Sequence, residues 1–247
     1  VQGHVSRCDQ LRELAASAES IYHLAAVVGV ELVLASPVRT IETNLRETEA
    51  ILEAASLSGT PLLLASSSEV YGKSSKEAFA EEDDLLIGPP GQTRWSYACS
   101  KLMDEFLALA CAREKNLPVV IARIFNTVGP RQLGRYGMVL PRFIAAARAG
   151  QPLRVFGDGS QTRCFSHVAD TVEALIRLQT TPAARGLVVN VGSSNEIPIV
   201  DLAQLVIEKT RSSSGLEFVP YEKAYSAGFD DMQRRRPDTT RLRELTG

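Results

Sequence analysis

A chain of 247 residues with 45% apolar and 23% charged residues has the usage of an ordinary folded protein and excludes a disordered one. Its 27 basic and 29 acidic residues leave a net charge of −2, and no Lys/Arg block is long enough to grip a phosphate backbone, which argues against a nucleic-acid partner. No apolar run approaches the roughly 18 residues of a membrane span and the N-terminus carries no signal-peptide pattern, so no membrane association and a cytoplasmic location are expected.

In chain order, the periodicities predict a helix over Leu11 to Ala18, a strand over Ile21 to Ala25, a helix over Val38 to Leu57 and a strand over Leu62 to Ser66. A helix over Ser96 to Glu114 and a strand over Val119 to Arg123 follow, then helices over Pro141 to Ala149 and Val168 to Leu178, a strand over Leu187 to Val191 and a helix over Val200 to Thr210. Short β-branched runs alternating with longer helices are the pattern of βαβ units, and the fold class expected is α/β with a doubly wound, Rossmann-type parallel sheet. From Phe125 onward the loops grow longer and richer in Gly, Arg and Pro. The expected division is therefore a sheet unit of residues 1–125, to which 166–191 return, and a smaller C-terminal region, 126–247, for substrate. Cys8, Cys99, Cys111 and Cys164 show no C-x-x-C spacing and His4, His23 and His167 lie far apart, so no metal site is expected.

The strongest chemical signal is Trp95-Ser96-Tyr97-Ala98-Cys99-Ser100-Lys101. Tyr97 and Lys101 are four apart on a predicted helix and so share one face. An ammonium beside a phenol favours the phenolate and is expected to bring Tyr97 toward use as a general base. Upstream, the apolar strand ends in Ser66-Ser67-Ser68-Glu69-Val70-Tyr71-Gly72, where hydroxyls at the carboxyl end of a parallel strand meet the ligand crevice. The strand-Ser-Ser-Ser run, a gap of about thirty residues and the helical Tyr-x-x-x-Lys together resemble the Ser-Tyr-Lys constellation of short-chain dehydrogenases.

Further segments occur in the order of the extended branch of that family. These are His23-Leu24-Ala25-Ala26, Asn44 in the next helix, Arg123-Ile124-Phe125-Asn126-Thr127-Val128-Gly129-Pro130-Arg131, and Phe156-Gly157-Asp158-Gly159-Ser160-Gln161-Thr162-Arg163. The chain resembles the NAD-dependent nucleotide-sugar epimerase/dehydratase family over essentially its whole length. The resemblance implies Ser67, Tyr97 and Lys101 as catalytic groups, with Glu69 beside them. It implies NAD against Leu24, Ala25 and Ala26, with Asn44, Ser66, Tyr97 and Lys101 also at the cofactor. It places Asn126, Arg163 and Arg235 at a nucleotide-sugar substrate, UDP-linked by expectation, and implies a homodimer. The family's glycine-rich phosphate turn and ribose-binding acid are expected tens of residues before residue 1, so the chain reads as an N-terminally truncated member lacking the first βαβα portion. His4 stands where relatives usually carry Asp, and Glu47 where many carry Gly.

Several outcomes share the 4-keto sugar that the family forms by transient oxidation. The segment from 125 to 140 and the tail Tyr225 to Met232 look like UDP-glucose 4-epimerase-like proteins, which puts 4-epimerisation first. Ser68-Glu69, Arg94-Trp95-Ser96-Tyr97 and Arg235-Arg236-Pro237-Asp238 resemble UDP-glucuronate decarboxylases, the close second reading. A 4,6-dehydratase and an inactive remnant stand behind these.

Overall fold

The computed structural model describes residues 3–134, 138–224 and 232–247. Val1, Gln2 and the parts of the epimerase-like segments at 135–137 and 225–231 lie outside the described residues. After a single 3-10 turn, α1 (Leu11–Ser17) leads into β1 (Ile21–His23), and α2 (Val30–Ala35) and α3 (Pro37–Ser58) precede β2 (Leu62–Ser67). Next come α4 (Trp95–Lys115) and β3 (Val119–Ile124), then β4 (Thr127–Val128), α5 (Val139–Arg148), β5 (Leu153–Phe156), β6 (Thr162–Cys164) and β7 (Ser166–His167). The chain continues through α6 (Val168–Thr180), β8 (Val188–Val191), β9 (Glu196–Pro198), α7 (Ile199–Thr210), β10 (Leu216–Val219), α8 (Tyr221–Ala224) and α9 (Thr240–Thr246).

The main sheet has the order β1-β2-β3-β8 with every pairing parallel. Side chains alternate across it, so Leu62 and Leu64 face Ile51, Leu52 and Ala55 of α3 and Ala108 and Cys111 of α4. Leu63, Val120, Ala122, Val189 and Val191 face the opposite way, onto Leu175 and Leu178 of α6 and Leu242 and Leu245 of α9. A sheet covered on both faces needs continuous apolar strands, which is why Leu62, Leu63 and Leu64 are all fully buried, each contributing roughly 1.5–3 kcal/mol. The architecture is the doubly wound parallel sheet expected. The helix α3 opens on Pro37, where a missing N–H costs nothing, and closes on Gly59 in the left-handed region at φ 70°.

The ten predicted elements recur within about two residues at their ends. Strand β1 stops at His23 instead of Ala25, because the Asn44 side-chain oxygen accepts the Val27 N–H at 2.7 Å and draws 24–29 off the ladder as a loop. The structure adds short strands at β4 to β7, β9 and β10, all paired in two-stranded ribbons, β4-β7, β5-β10 and β6-β9. With α5 and α7 they enclose a second core of Phe143, Ala147, Leu153, Val155, Ile199, Leu202, Ala203 and Val206. Among the described residues no helix is long and apolar enough to cross a membrane.

Candidate functional site

The carboxyl ends of β2 and β3 open into a cavity of about 600 Å³ between the main sheet and the second core. Leu24, Ala26 and Val28 form an apolar wall, Ser66, Ser67, Glu69 and Tyr97 the floor, and Asn126, Arg163 and Arg235 the far side. Ser67 closes β2, and its hydroxyl accepts the Glu69 N–H at 3.3 Å, capping the one-turn helix Ser68–Tyr71 that carries Glu69. The turn then requires Gly72, at φ 61°, where a Cβ would lie 2.3 Å from the Leu86 carbonyl oxygen. Tyr97 rises from the first turn of α4 and lines the same floor as Ser67.

Burial pushes the Tyr97 phenol up to about 12; the Ser67 hydrogen bond opposes that rise, Glu69 and Asp104 add to it, and Arg235 again opposes. Lys101 sits one turn along α4 as predicted, but its Nζ donates to Asp104 Oδ2 at 2.8 Å, and both side chains are at most 2% exposed. Lys101 does not line the cavity.

Glu69 is the electrostatic centre of the floor. Burial alone would raise its carboxyl, but Arg235 and Arg94, with Arg163 further out, hold it below the ordinary carboxylate range. Arg235 bridges, giving Nη1 to Glu69 and Nη2 to the Asn126 side-chain oxygen, while Asn126 Nδ2 donates to the Cys164 carbonyl at 3.0 Å. Arg94 Nη2 lies 3.3 Å from Glu69 Oε2, and Arg163 Nη1 donates to the Thr162 carbonyl at 2.7 Å. Arg142 and Arg154 line the outer wall. Among the described residues the cavity thus gathers five guanidinium groups around a single carboxylate, a site built for an anion.

Other predicted positions lie behind this surface. Ser66 reaches the cavity but donates its hydroxyl to Glu105, which Arg123 binds through Nε at 3.0 Å and Nη2 at 2.8 Å. Asn44 is buried beneath the wall, holding Val27 and donating to the Ser100 hydroxyl at 3.1 Å, and Ala25 is exposed; neither lines the cavity. Glu47 accepts the Ser6 N–H and hydroxyl, both at 2.8 Å, with His4 Nδ1 at 3.5 Å, so the two departures from the family pattern face each other. Sequence reasoning missed Asp104, although its spacing of three from Lys101 on a predicted helix was a usable signal. Arg142 and Arg154 carried no signal, since their convergence depends on how the second core packs.

Ser67 and Tyr97 beneath an apolar wall of Leu24 and Ala26 form a lining that would suit the flat, partly apolar nicotinamide end of NAD. The model of the NAD dependent epimerase/dehydratase family matches residues 1–192. A UDP-N-acetyl-alpha-D-glucosaminuronate decarboxylase of Bacillus cytotoxicus is 43% identical over 238 residues, covering 96% of this chain and 73% of that protein. UDP-glucuronic acid decarboxylase 2 of Arabidopsis thaliana is 36% identical over 241 residues, 98% of this chain and 52% of its own length. The chain thus spans about half to three quarters of these relatives. Among solved structures, epimerase Mth375 of Methanothermobacter thermautotrophicus superposes with a TM-score of 0.88 at 29% identity, over 100% of this chain and 71% of that one.

Proposed function

Because the chain belongs to the NAD-dependent epimerase/dehydratase family of nucleotide-sugar enzymes, we propose that it serves the decarboxylation of a UDP-linked uronate, glucuronate or its N-acetylamino counterpart, by way of a 4-keto sugar. The observation that carries this reading is the Arg94–Glu69–Arg235 cluster on the floor of an arginine-lined cavity. A UDP-uronate brings a diphosphate and a carboxylate, and forked guanidinium groups are the side chains best matched to both. The decarboxylase relatives favour this order over 4-epimerisation, which stands as the second reading.

When bound, NAD supplies reversible oxidation at C4 of the sugar. The chain's own groups do the rest. Tyr97, with Ser67 beside it on the cavity floor, takes the proton of the 4-hydroxyl and returns it. Arg235, fixed between Glu69 and Asn126, receives the C6 carboxylate. Once C4 is a ketone that carboxylate is β to a carbonyl, so the C5–C6 bond breaks with its electron pair passing to the enolate and CO₂ leaving. The enolate carbon C5 then takes up a proton from solvent, and the 4-ketone is reduced back to the 4-hydroxyl as Tyr97 returns its proton. Glu69 keeps the two arginines in place, and its ionised state prevents it from protonating the carboxylate that must leave.

The division into a sheet unit (1–125 with 166–191) and a substrate region (126–247) belongs to this proposal, as does the homodimer. Met103, Phe106 and Leu107 on α4 are exposed, and sedimentation at micromolar concentration tests that assembly. For the chemistry, the test is mass-spectrometric analysis after incubation with NAD and each sugar. A UDP-pentose from UDP-glucuronate, or its N-acetylamino equivalent, supports decarboxylation, whereas UDP-galactose from UDP-glucose with both uronates unchanged favours the epimerase.

A further inference from the structure

Asn190 on β8 is fully buried and does not line the cavity, yet every polar atom of its side chain is engaged at one junction. Its Oδ1 accepts the Tyr71 hydroxyl at 2.7 Å, and its Nδ2 donates to two main-chain carbonyls, of Phe79 at 2.8 Å and of Asp238 at 3.2 Å. Resting on the reading of Arg235 as the receiver of the substrate carboxylate, we infer that Asn190 is a positioning residue: it clamps segment 236–238 onto the Phe79 backbone and so fixes where the Arg235 guanidinium stands in the cavity.

The main chain alone supplies little at this junction. Pro237 has no N–H, so among the described residues the segment joins Phe79 by two main-chain bonds, from Phe79 N–H to the Arg236 carbonyl at 2.8 Å and from Asp238 N–H to the Phe79 carbonyl at 2.9 Å. Asn190 adds a donor that bridges the Phe79 and Asp238 carbonyls. The Tyr71 hydroxyl decides which way the amide faces, because turned over its oxygen would stand against both carbonyls. Tyr71 is itself held, its ring 4.8 Å from that of Phe79 and 4.8 Å from the Arg123 guanidinium carbon. Asn190 and Arg123 are register partners on β8 and β3, and both reach Glu81: the Asn190 N–H donates to its carboxylate at 2.8 Å and Arg123 Nη1 to its carbonyl at 3.2 Å. Residues 79–81 are thus tied to the main sheet and in turn hold the tail.

Arg235 precedes this junction by one residue and follows a second anchor. Thr162 N–H donates to the Gln233 carbonyl at 2.9 Å and Arg234 Nε to Glu196 at 2.8 Å, which fasten the chain to β6 and β9. Between the two anchors the Arg235 fork meets Glu69 and Asn126. A rigid fork keeps both contacts only while its backbone is held, and a displacement of about 1 Å is enough to cost it a productive geometry.

The experiment compares Asn190→Leu, of similar size and without charge, with Arg235→Ala in two readouts. The first is the Glu69 carboxyl, followed by NMR of the chain carrying ¹³Cδ-glutamate, with Glu69→Gln identifying the resonance. Arg235→Ala is expected to raise its midpoint by about one pH unit or more, and Asn190→Leu by about half a unit or more, because the guanidinium leaves the carboxylate. The His23 midpoint, read from its imidazole protons in the same samples, should stay at about 4, which a general loosening of the fold would not allow. Asn190→Leu combined with Tyr71→Phe strands no hydroxyl, and serves where Asn190→Leu alone does not fold. The second readout is titration calorimetry, in which Asn190→Leu should weaken UDP-glucuronate by about fivefold or more and UDP-glucose by less than about twofold. A Glu69 midpoint unmoved by the Asn190 variants overturns the proposal, as does one that Arg235→Ala itself leaves unmoved, or a rise matched by recovery of His23. An unchanged UDP-glucuronate affinity in Asn190→Leu where Arg235→Ala is selective overturns it too. Equal losses of the two nucleotide sugars in Arg235→Ala are a separate result: they refute the carboxylate reading and leave the Glu69 comparison standing.

Discussion

Replacing Arg235 by alanine removes the one group among the described residues that touches both Glu69 and Asn126. If its guanidinium receives the C6 carboxylate, the loss of a charge-assisted hydrogen bond is about 1.5–3 kcal/mol, or roughly 10- to 150-fold in affinity, and falls on the uronate alone. UDP-glucose, which has no carboxylate, should lose less than about threefold, well under 1 kcal/mol. Isothermal titration of both nucleotide sugars into the two proteins gives the comparison. Arg235→Lys should recover only part of the loss, because a point charge cannot bridge Glu69 and Asn126 together. The same change acts on Glu69. Its carboxyl is held below the ordinary range, so the stabilisation it supplies is complete above the unfolded value and disappears as the pH falls through the depressed one. Without Arg235 the carboxyl moves back up, so acid stability should suffer less at the lowest pH than stability near neutrality does. Equal losses for UDP-glucose and UDP-glucuronate would refute the assignment of Arg235 to the carboxylate.

Tyr97→Phe should lower turnover of the active enzyme by about a hundredfold or more with substrate binding nearly unchanged, since removal of the proton carrier acts on the transition state; steady-state kinetics beside equilibrium titration separates the two. Arg123→Met strands the buried Glu105 carboxylate that also accepts from Ser66, and should cost about 3–5 kcal/mol in urea unfolding, a loss under about 1 kcal/mol contradicting the network. His23 is buried and brought down to about 4, so between about 6.5 and 4 the unfolded chain binds a proton that the folded one does not. Stability should therefore fall by about 3 kcal/mol as the pH drops through that window, and His23→Gln should flatten this part of the profile measured by urea midpoints.

The main sheet was legible because its strands are continuous apolar runs and its helices have strong periodicity: Leu62 to Leu64 and the stripe Ile51, Leu52 and Ala55 leave few alternatives. The two- to four-residue strands around the second core were not, since alternation cannot be established over so few residues. Ser67 and Tyr97 could be read from spacing, as each follows directly from a strand end or a helix start. Lys101 and Tyr97 were correctly placed on one face, but the Lys101 ammonium went to Asp104, a competition that spacing alone leaves open. Asn44 and Ala25 show a related limit: a position in a motif does not reveal whether the side chain faces the cavity or the scaffold behind it. The arginine-lined wall depends on contacts between segments as distant as Arg94, Arg154 and Arg235, which only the folded chain brings together.

The central claim is tested most directly with UDP-glucuronate, and its N-acetylamino counterpart, labelled with ¹³C at C6 and incubated with the protein and NAD in D₂O. The account predicts that the label leaves the sugar and appears as CO₂ and bicarbonate, while the nucleotide-linked product gains a single deuteron at C5. Label retained at C6 of a sugar inverted at C4 would contradict it and restore the epimerase.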